Sequence, residues 1–180
     1  MPGKCTGNLC VPFYINKISE LQASHFPNES ALSKGIWVKI ICGASNEDLP
    51  SISDLCALYA AAGVHCIDVA ADMAVVTAAK KGLDWIEAKS GIRPWLMVSI
   101  SDGKDIHFRK AFFDNKLCPK DCSRPCQKIC PAEAIKSFGG VLEDRCYGCG
   151  RCLPICPLGL IQEKDHYLKI EELGEFISQA

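Results

Sequence analysis

Apolar runs and helical periods alternate along residues 35–101. Trp37–Cys42 is a short apolar run that predicts a strand, and the segment Gly43–Asn46 after it predicts a turn. Apolar positions at helical spacing begin near Pro50, just after a candidate N-cap at Asp48, and Gly63 stands where a helix end often needs positive φ. The pattern therefore predicts one strand followed by one helix.

The same cycle then repeats. Its predicted parts are a strand at Cys66–Ala70, an N-cap at Asp72, a helix over Met73–Lys81 that Gly82 ends, and a strand at Trp95–Ile100 after Pro94. Short connections between such units imply parallel strands and right-handed crossovers. The predicted fold class is therefore α/β. Three βα units fit either a partial (β/α) barrel or an open parallel sheet, and the pattern does not choose between them.

Two runs of cysteines interrupt this pattern after the third strand. Eight of the thirteen cysteines lie in them, namely Cys118, Cys122, Cys126 and Cys130 before Pro131, and Cys146, Cys149, Cys152 and Cys156 before Pro157. Soft thiolates suit iron and sulfide, and two Cys-Pro runs are typical of bacterial proteins with two clusters, in which each run lends its last cysteine to the other cluster. We expect two [4Fe–4S] clusters, one on Cys130, Cys146, Cys149 and Cys152 and the other on Cys118, Cys122, Cys126 and Cys156.

The first run departs from the usual spacing. Its three spacers each have three residues, where two, two and three are usual. A wider loop leaves two alternatives open: one cubane with a damaged or three-iron second site, or structural zinc. Within the module, Ile135–Glu143, with Gly139 and Gly140 at its centre, predicts a hairpin between two similar halves, and Gly148 and Gly150 would let backbone amides approach the sulfurs.

These patterns divide the chain into four parts. Residues 1–34 are expected to be a flexible leader, 35–112 a βα domain, 113–165 an inserted α+β ferredoxin-like unit, called the cluster module below, and 166–180 a helix that returns to the βα domain. A parallel sheet of three strands has an exposed edge, which normally needs cover. We therefore expect the chain to be a shortened form of a longer one, or to be completed by a partner.

Composition and charge exclude several classes of protein. The formal net charge is −1 and the pI about 6.4, which gives no case for nucleic-acid binding. No stretch predicts a membrane span. No secretion signal is present, so the cysteines are expected to be ligands or free thiols, including Cys5 and Cys10 in the leader.

Charge within the cluster module bears on its role. Between Cys118 and Pro157 six Lys or Arg residues stand against four Asp or Glu. Because a cubane with four thiolates is an anion, these cations are expected to offset its charge and raise its potential. A built-in electron relay or sensor fits this balance better than a free acidic carrier.

The remaining polar and thiol residues give weaker signals. Asp68, Asp72 and Asp102 lie at or beyond strand ends, where barrel enzymes place acid and base groups, although an N-cap explains Asp72 and a turn explains Asp102 more simply. His65 has no partner at ligand spacing, and His107 is expected on a surface loop. We expect Cys42, Cys56 and Cys66 in the core. No P-loop or dinucleotide fingerprint appears.

Several segments resemble the light-dependent period protein family, iron–sulfur proteins of cyanobacterial circadian input and their plastid relatives. The matching segments lie within residues 35–165: Trp37–Ser45, Gly63–Asp72, Arg93–Arg109, and both cysteine runs, including Arg145–Cys152. The resemblance implies redox sensing that reports photosynthetic electron transport to the clock, and residence in a chloroplast. Family chains are longer than this one.

Two functional hypotheses follow. In the first, which we favour, a non-enzymatic redox protein uses two cubanes to relay or sense electrons and signals to a protein partner through its βα domain. In the second, the chain is the electron-transfer component of a barrel-type oxidoreductase that binds a flavin. A splice product without function is a third reading.

Overall fold

The computed structural model describes residues 27–42, 48–100, 108–136, 140–166 and 168–179. Several sequence predictions fall outside these ranges. They are the leader up to residue 26 with Cys5 and Cys10, the turn at Gly43–Asn46, and Asp102, His107 and Gly139.

A parallel sheet with helices forms the first part of the chain. Its elements are α1 (Asn28–Ser33), β1 (Lys39–Ile41), α2 (Leu49–Ala61), β2 (Cys66–Ala70), α3 (Met73–Ser90) and β3 (Trp95–Ser99). The strands are parallel in the order β1-β2-β3, and Ile67 is in register with Ile40 and Leu96. The α/β class is therefore confirmed. All five residues of β2 are buried, as expected for a central strand of apolar residues.

The core of this part lies between the sheet and the helix pair α2 and α3. Ile52 and Cys56 of α2, Ile67 of β2, and Leu83 and Ile86 of α3 are almost fully buried there. Because the two helices present small residues to one another, their backbones approach closely.

That close approach explains one wrong prediction. Gly82 does not end the helix, since α3 continues to Ser90 and ends at Gly91, which has φ +68°. A Cβ atom on Gly82 would lie 2.0 Å from the backbone oxygen of Ser53 in α2. Gly82 is therefore the contact point of two helices, and the left-handed helix end falls nine residues later.

The predicted helix starts and the first helix end have different outcomes. Asp72 caps α3, accepting a 2.8 Å hydrogen bond from the backbone N–H of Ala74, so that prediction is confirmed. Asp48 stands at the N-cap position of α2 but makes no side-chain cap; its carboxylate accepts a 2.9 Å bond from the Ser51 hydroxyl. Gly63, just after α2, has φ +87°, as predicted.

Short elements follow in the second part of the chain. They are β4 (Arg109–Phe112), a 3-10 turn (Asn115–Leu117), α4 (Pro125–Ile129), β5 (Ile135–Lys136), β6 (Gly140–Val141), β7 (Gln162–Asp165), a second 3-10 turn (Ile170–Glu172) and α5 (Leu173–Gln179). β4 pairs with β7 and β5 with β6, both antiparallel. A small second core, separate from that of the βα domain, includes Ala111, Ala134, Ile135 and Ile161.

The two parts contact each other. Phe176 of α5 is buried against the core of the βα domain, and Phe108, Tyr147 and Leu168 pack on the same core. Of these four residues Tyr147 belongs to the cluster module, so the module touches the core of the βα domain there. Within the described residues no helix is long and apolar enough to cross a membrane.

Candidate metal centre

Four cysteines line one cavity of the cluster module. Cys146, Cys149 and Cys152 of the second run share it with Cys130, the last cysteine of the first run. Together with its open mouth the cavity holds about 350 Å³ of empty space, and its other walls are mainly apolar. We call it cavity A.

The other four cysteines line a second cavity, cavity B. Cys118, Cys122 and Cys126 of the first run meet Cys156, the last cysteine of the second run. Cavity B holds about 320 Å³, and apolar side chains such as Phe113 and Ile161 complete its wall. The structure thus groups the eight thiols into two sets of four, each set drawing its fourth member from the other run.

Backbone amides point at these sulfurs. The N–H of Ala111 in β4 donates to Cys146 Sγ at 3.4 Å, and the N–H of Ala134 donates to Cys130 Sγ at 3.2 Å. Such donors stabilise thiolates and cluster sulfur, and they tune the reduction potential. Four thiols in an apolar pocket with amide donors fit an iron–sulfur cluster as a donor set.

Four backbone amides donate to the sulfur of Cys156. Burial alone would raise the pKa of its thiol, but the amides of Leu160, Leu158, Ile161 and Gly159 together lower that pKa below its usual value. The segment after Pro157 therefore wraps the sulfur of Cys156.

The pKa values of two more deeply buried thiols shift in the opposite direction. Burial raises the pKa of Cys152 to about 12, with the Cys146 and Cys149 sulfurs adding to the effect. Burial also raises the pKa of Cys146, although the amides of Ala111 and Gly148 and the cation of Lys110 act to lower it. Because cysteine binds metal as the thiolate, metal binding at these sulfurs would release protons.

Gly148 is needed for its backbone conformation and its small size. Its φ is +76°, and a Cβ atom there would lie 2.1 Å from the backbone oxygen of Arg109. This lets the chain pass against β4 while the Gly148 amide reaches Cys146. Gly150 also has positive φ, at +69°.

A buried ion pair joins the N-cap of α3 to β4, the strand whose Ala111 lines cavity A. Lys110 Nζ lies 2.9 Å from Asp72 Oδ2, and the two side chains are 3% and 9% exposed. The same ammonium donates to the backbone carbonyl of Glu143 in the cluster module. His166 lies near this ion pair. Burial and, to a smaller extent, the Lys110 cation lower its pKa. Since Lys110 directly precedes Ala111, one short strand carries both the buried ion pair and an amide donor to Cys146.

The other residues singled out in the sequence lie outside the two cavities. Asp68 is buried in β2, where it pairs with Lys39 Nζ at 2.9 Å and accepts a 2.7 Å bond from the Ser99 hydroxyl. Cys42, Cys56 and Cys66 are buried in or beside the core, as predicted. His65 Nδ1 accepts a hydrogen bond from the N–H of Val38, which indicates a structural role.

Sequence reasoning missed Lys110 and the amides of Ala111 and Ala134. A lysine that directly follows an arginine gives no signal of burial, because exposed lysines are far commoner. The small size of Ala134, four residues after Cys130, was the available clue to close backbone approach. In the part of the chain that the structure describes, no three His, Cys, Asp or Glu side chains are arranged to hold a single metal ion.

Comparison with known proteins agrees with this chemistry. The LdpA Fe-S cluster-binding domain matches residues 118–167, which include all eight cysteines. The protein named light dependent period A of Synechococcus elongatus is 58% identical over 141 residues, or 78% of this chain. Over the matched residues, the chain belongs to the light-dependent period protein family. The match covers 40% of that relative's length.

A second relative matches a shorter segment. The electron transport protein HydN of Escherichia coli K12 is 37% identical over 49 residues, 26% of this chain and 28% of that protein. No solved structure matches the chain. The domain match shows that the chain carries an iron–sulfur cluster-binding domain.

Proposed function

We propose that this chain holds two [4Fe–4S] clusters, one in cavity A and one in cavity B, and uses them to relay or sense electrons. The observation that carries the proposal is the division of the eight cysteines into two sets of four. When bound, the clusters supply one-electron redox chemistry. The protein supplies the thiols, the amide donors and an apolar wall that limits contact with water.

The proposal includes a ferredoxin-like fold for the cluster module. Two antiparallel strand pairs and two crossed cysteine sets support this, because they give the module two similar halves. In the βα domain, three consecutive parallel strands support a partial (β/α) barrel as one reading and an open sheet as the other.

The sensing step uses the contact between module and βα domain. Reduction adds one negative charge to a cluster, and the buried Lys110 cation near cavity A pairs with Asp72 at the start of α3. We propose that a change of cluster charge alters the packing around this pair, and that the βα domain transmits the change to a protein partner. Residence in the plastid stroma or the cytoplasm, and a place in circadian input, belong to the same proposal.

Redox-dependent hydrogen exchange tests this function. The oxidised and dithionite-reduced chains are compared without oxygen, and exchange is measured at the amides of Asp72–Val76 and, as a reference, at those of Ile86–Ser90 in the same helix. We expect a change in exchange rate at the start of α3 and none at its end. Equal exchange throughout α3 in the two redox states would contradict sensing and leave electron relay as the function.

A further inference from the structure

The cluster module has a basic groove on its surface. Arg124, Lys128 and Lys136 line it with Gln127 and with one carboxylate, that of Glu133, and the groove holds about 850 Å³ of empty space including its open mouth. Lys128 and Lys136 are exposed, and Arg124 is half-buried. The groove therefore presents three cations on a chain whose overall charge is −1.

The groove lies against both cavities. Its floor includes Ile135, which also lines cavity A. One wall is α4, whose Cys126 lines cavity B and which is followed directly by Cys130 of cavity A. A molecule seated in the groove would thus be close to one candidate ligand of each cluster.

The backbone of the groove is held in an uncommon conformation. Arg124 has φ +53° and Glu133 has φ +50°, and these are the two non-glycine residues with positive φ in the described part of the chain. Neither residue type favours the left-handed region, and such conformations concentrate where a site requires them. Both of these residues line the groove.

We propose that the basic groove is the docking site for an acidic electron-carrier protein. This inference rests on the proposed function. Complementary charge would steer the carrier to the module, and the short distance to both cavities would favour electron transfer there. One electron moves in this transfer, and no proton or bond is exchanged. The carrier's centre loses the electron and is oxidised, and a [4Fe–4S]²⁺ cluster would gain it and become [4Fe–4S]⁺. An anionic nucleic acid is disfavoured because the chain as a whole has a pI of about 6.4, well below that of typical nucleic-acid-binding domains.

The test uses the full chain with its clusters and an acidic plant-type [2Fe–2S] ferredoxin as the probe. The groove variant is Lys128→Glu with Lys136→Glu. The control variant, Lys116→Glu with Lys120→Glu, makes the same change of net charge on exposed lysines of the module outside the groove. Binding is measured by anaerobic calorimetry at low salt with both proteins oxidised, and reduction by stopped-flow absorbance with the ferredoxin reduced.

We expect the groove variant to raise the Kd about 10-fold or more and to weaken its salt dependence, while the control changes it less than about 3-fold. Reduction by dithionite, which needs no docking, should be equal in all three proteins. Equal loss of binding in both variants, or no binding of ferredoxin to the unaltered chain, would overturn the inference while leaving the clusters in place. A chain without iron would instead overturn the proposed function.

Discussion

Asp72 has two roles that one substitution separates. Its Oδ1 atom caps α3 by accepting from the Ala74 N–H, and its Oδ2 atom pairs with the buried Lys110 ammonium. In Asp72→Asn the side-chain oxygen still caps the helix, because Asn is as good an N-cap as Asp. The negative charge that balances Lys110 is lost.

The expected cost follows from the burial of the pair. Removing one partner of a buried ion pair leaves an uncompensated charge and costs about 3–5 kcal/mol. Lys110 keeps its bond to the Glu143 carbonyl, so we expect the lower end, about 3 kcal/mol. For a chain of 180 residues this lowers Tm by about 6–12 °C. Replacing both partners, in Asp72→Asn with Lys110→Met, should recover most of the loss, because no buried charge remains.

The assay is thermal unfolding followed by circular dichroism without oxygen. Because loss of clusters makes unfolding irreversible, all variants are heated at one scan rate. Asp84→Asn is the matched control on the same helix: the Asp84 side chain is 63% exposed, and its partner Arg93 keeps a second bond to Glu87. We expect the control to cost less than about 1 kcal/mol. If Asp72→Asn melts at the same temperature as Asp84→Asn, the buried pair does not join the two parts as described.

Three other predictions follow. Crossed ligation predicts that the double variant Cys130→Ala with Cys149→Ala loses about four irons, the same as either single variant, because both cysteines serve one cluster. The double variant Cys130→Ala with Cys126→Ala should lose about eight irons. Equal losses in the two double variants, measured by iron analysis, would exclude the crossed sets. Gly82→Ala should destabilise the chain by about 1–3 kcal/mol, because the added methyl group overpacks against α2. Gly174→Ala is the control in the same melts: Gly174 has open space around it, so the change should be neutral or stabilising by up to about 1 kcal/mol. A Gly82→Ala variant as stable as the unaltered chain would refute the close helix contact. Stripping iron with a chelator should speed amide exchange in the cluster module and leave the parallel sheet protected; uniform exchange in both would contradict the two separate cores.

The sequence predicted those features that depend on local chemistry. The strand Cys66–Ala70, the Asp72 cap and the positive φ of Gly63 were each indicated by a short apolar run or by one residue type at a helix boundary. The parallel order of three strands followed from the short connections between them.

Features that depend on distant residues were not predictable from the pattern. A glycine inside a helix has the same local signature as one that ends it, and only the position of Ser53 in α2 distinguishes the two for Gly82. The same holds for Lys110, whose burial depends on Asp72 and Glu143, residues 38 positions before it and 33 after it. The two cysteine sets were predicted from spacing, and the structure brings the same residues together; their role as ligands stays a prediction.

Counting iron and acid-labile sulfide in the anaerobically purified chain, with EPR after dithionite reduction, tests the central claim most directly. Two clusters predict about eight irons and about eight sulfides per chain, with signals from two interacting cubanes. About four of each, or zinc in place of iron, would show that the widened first run does not form a cubane site and would contradict the two-cluster account.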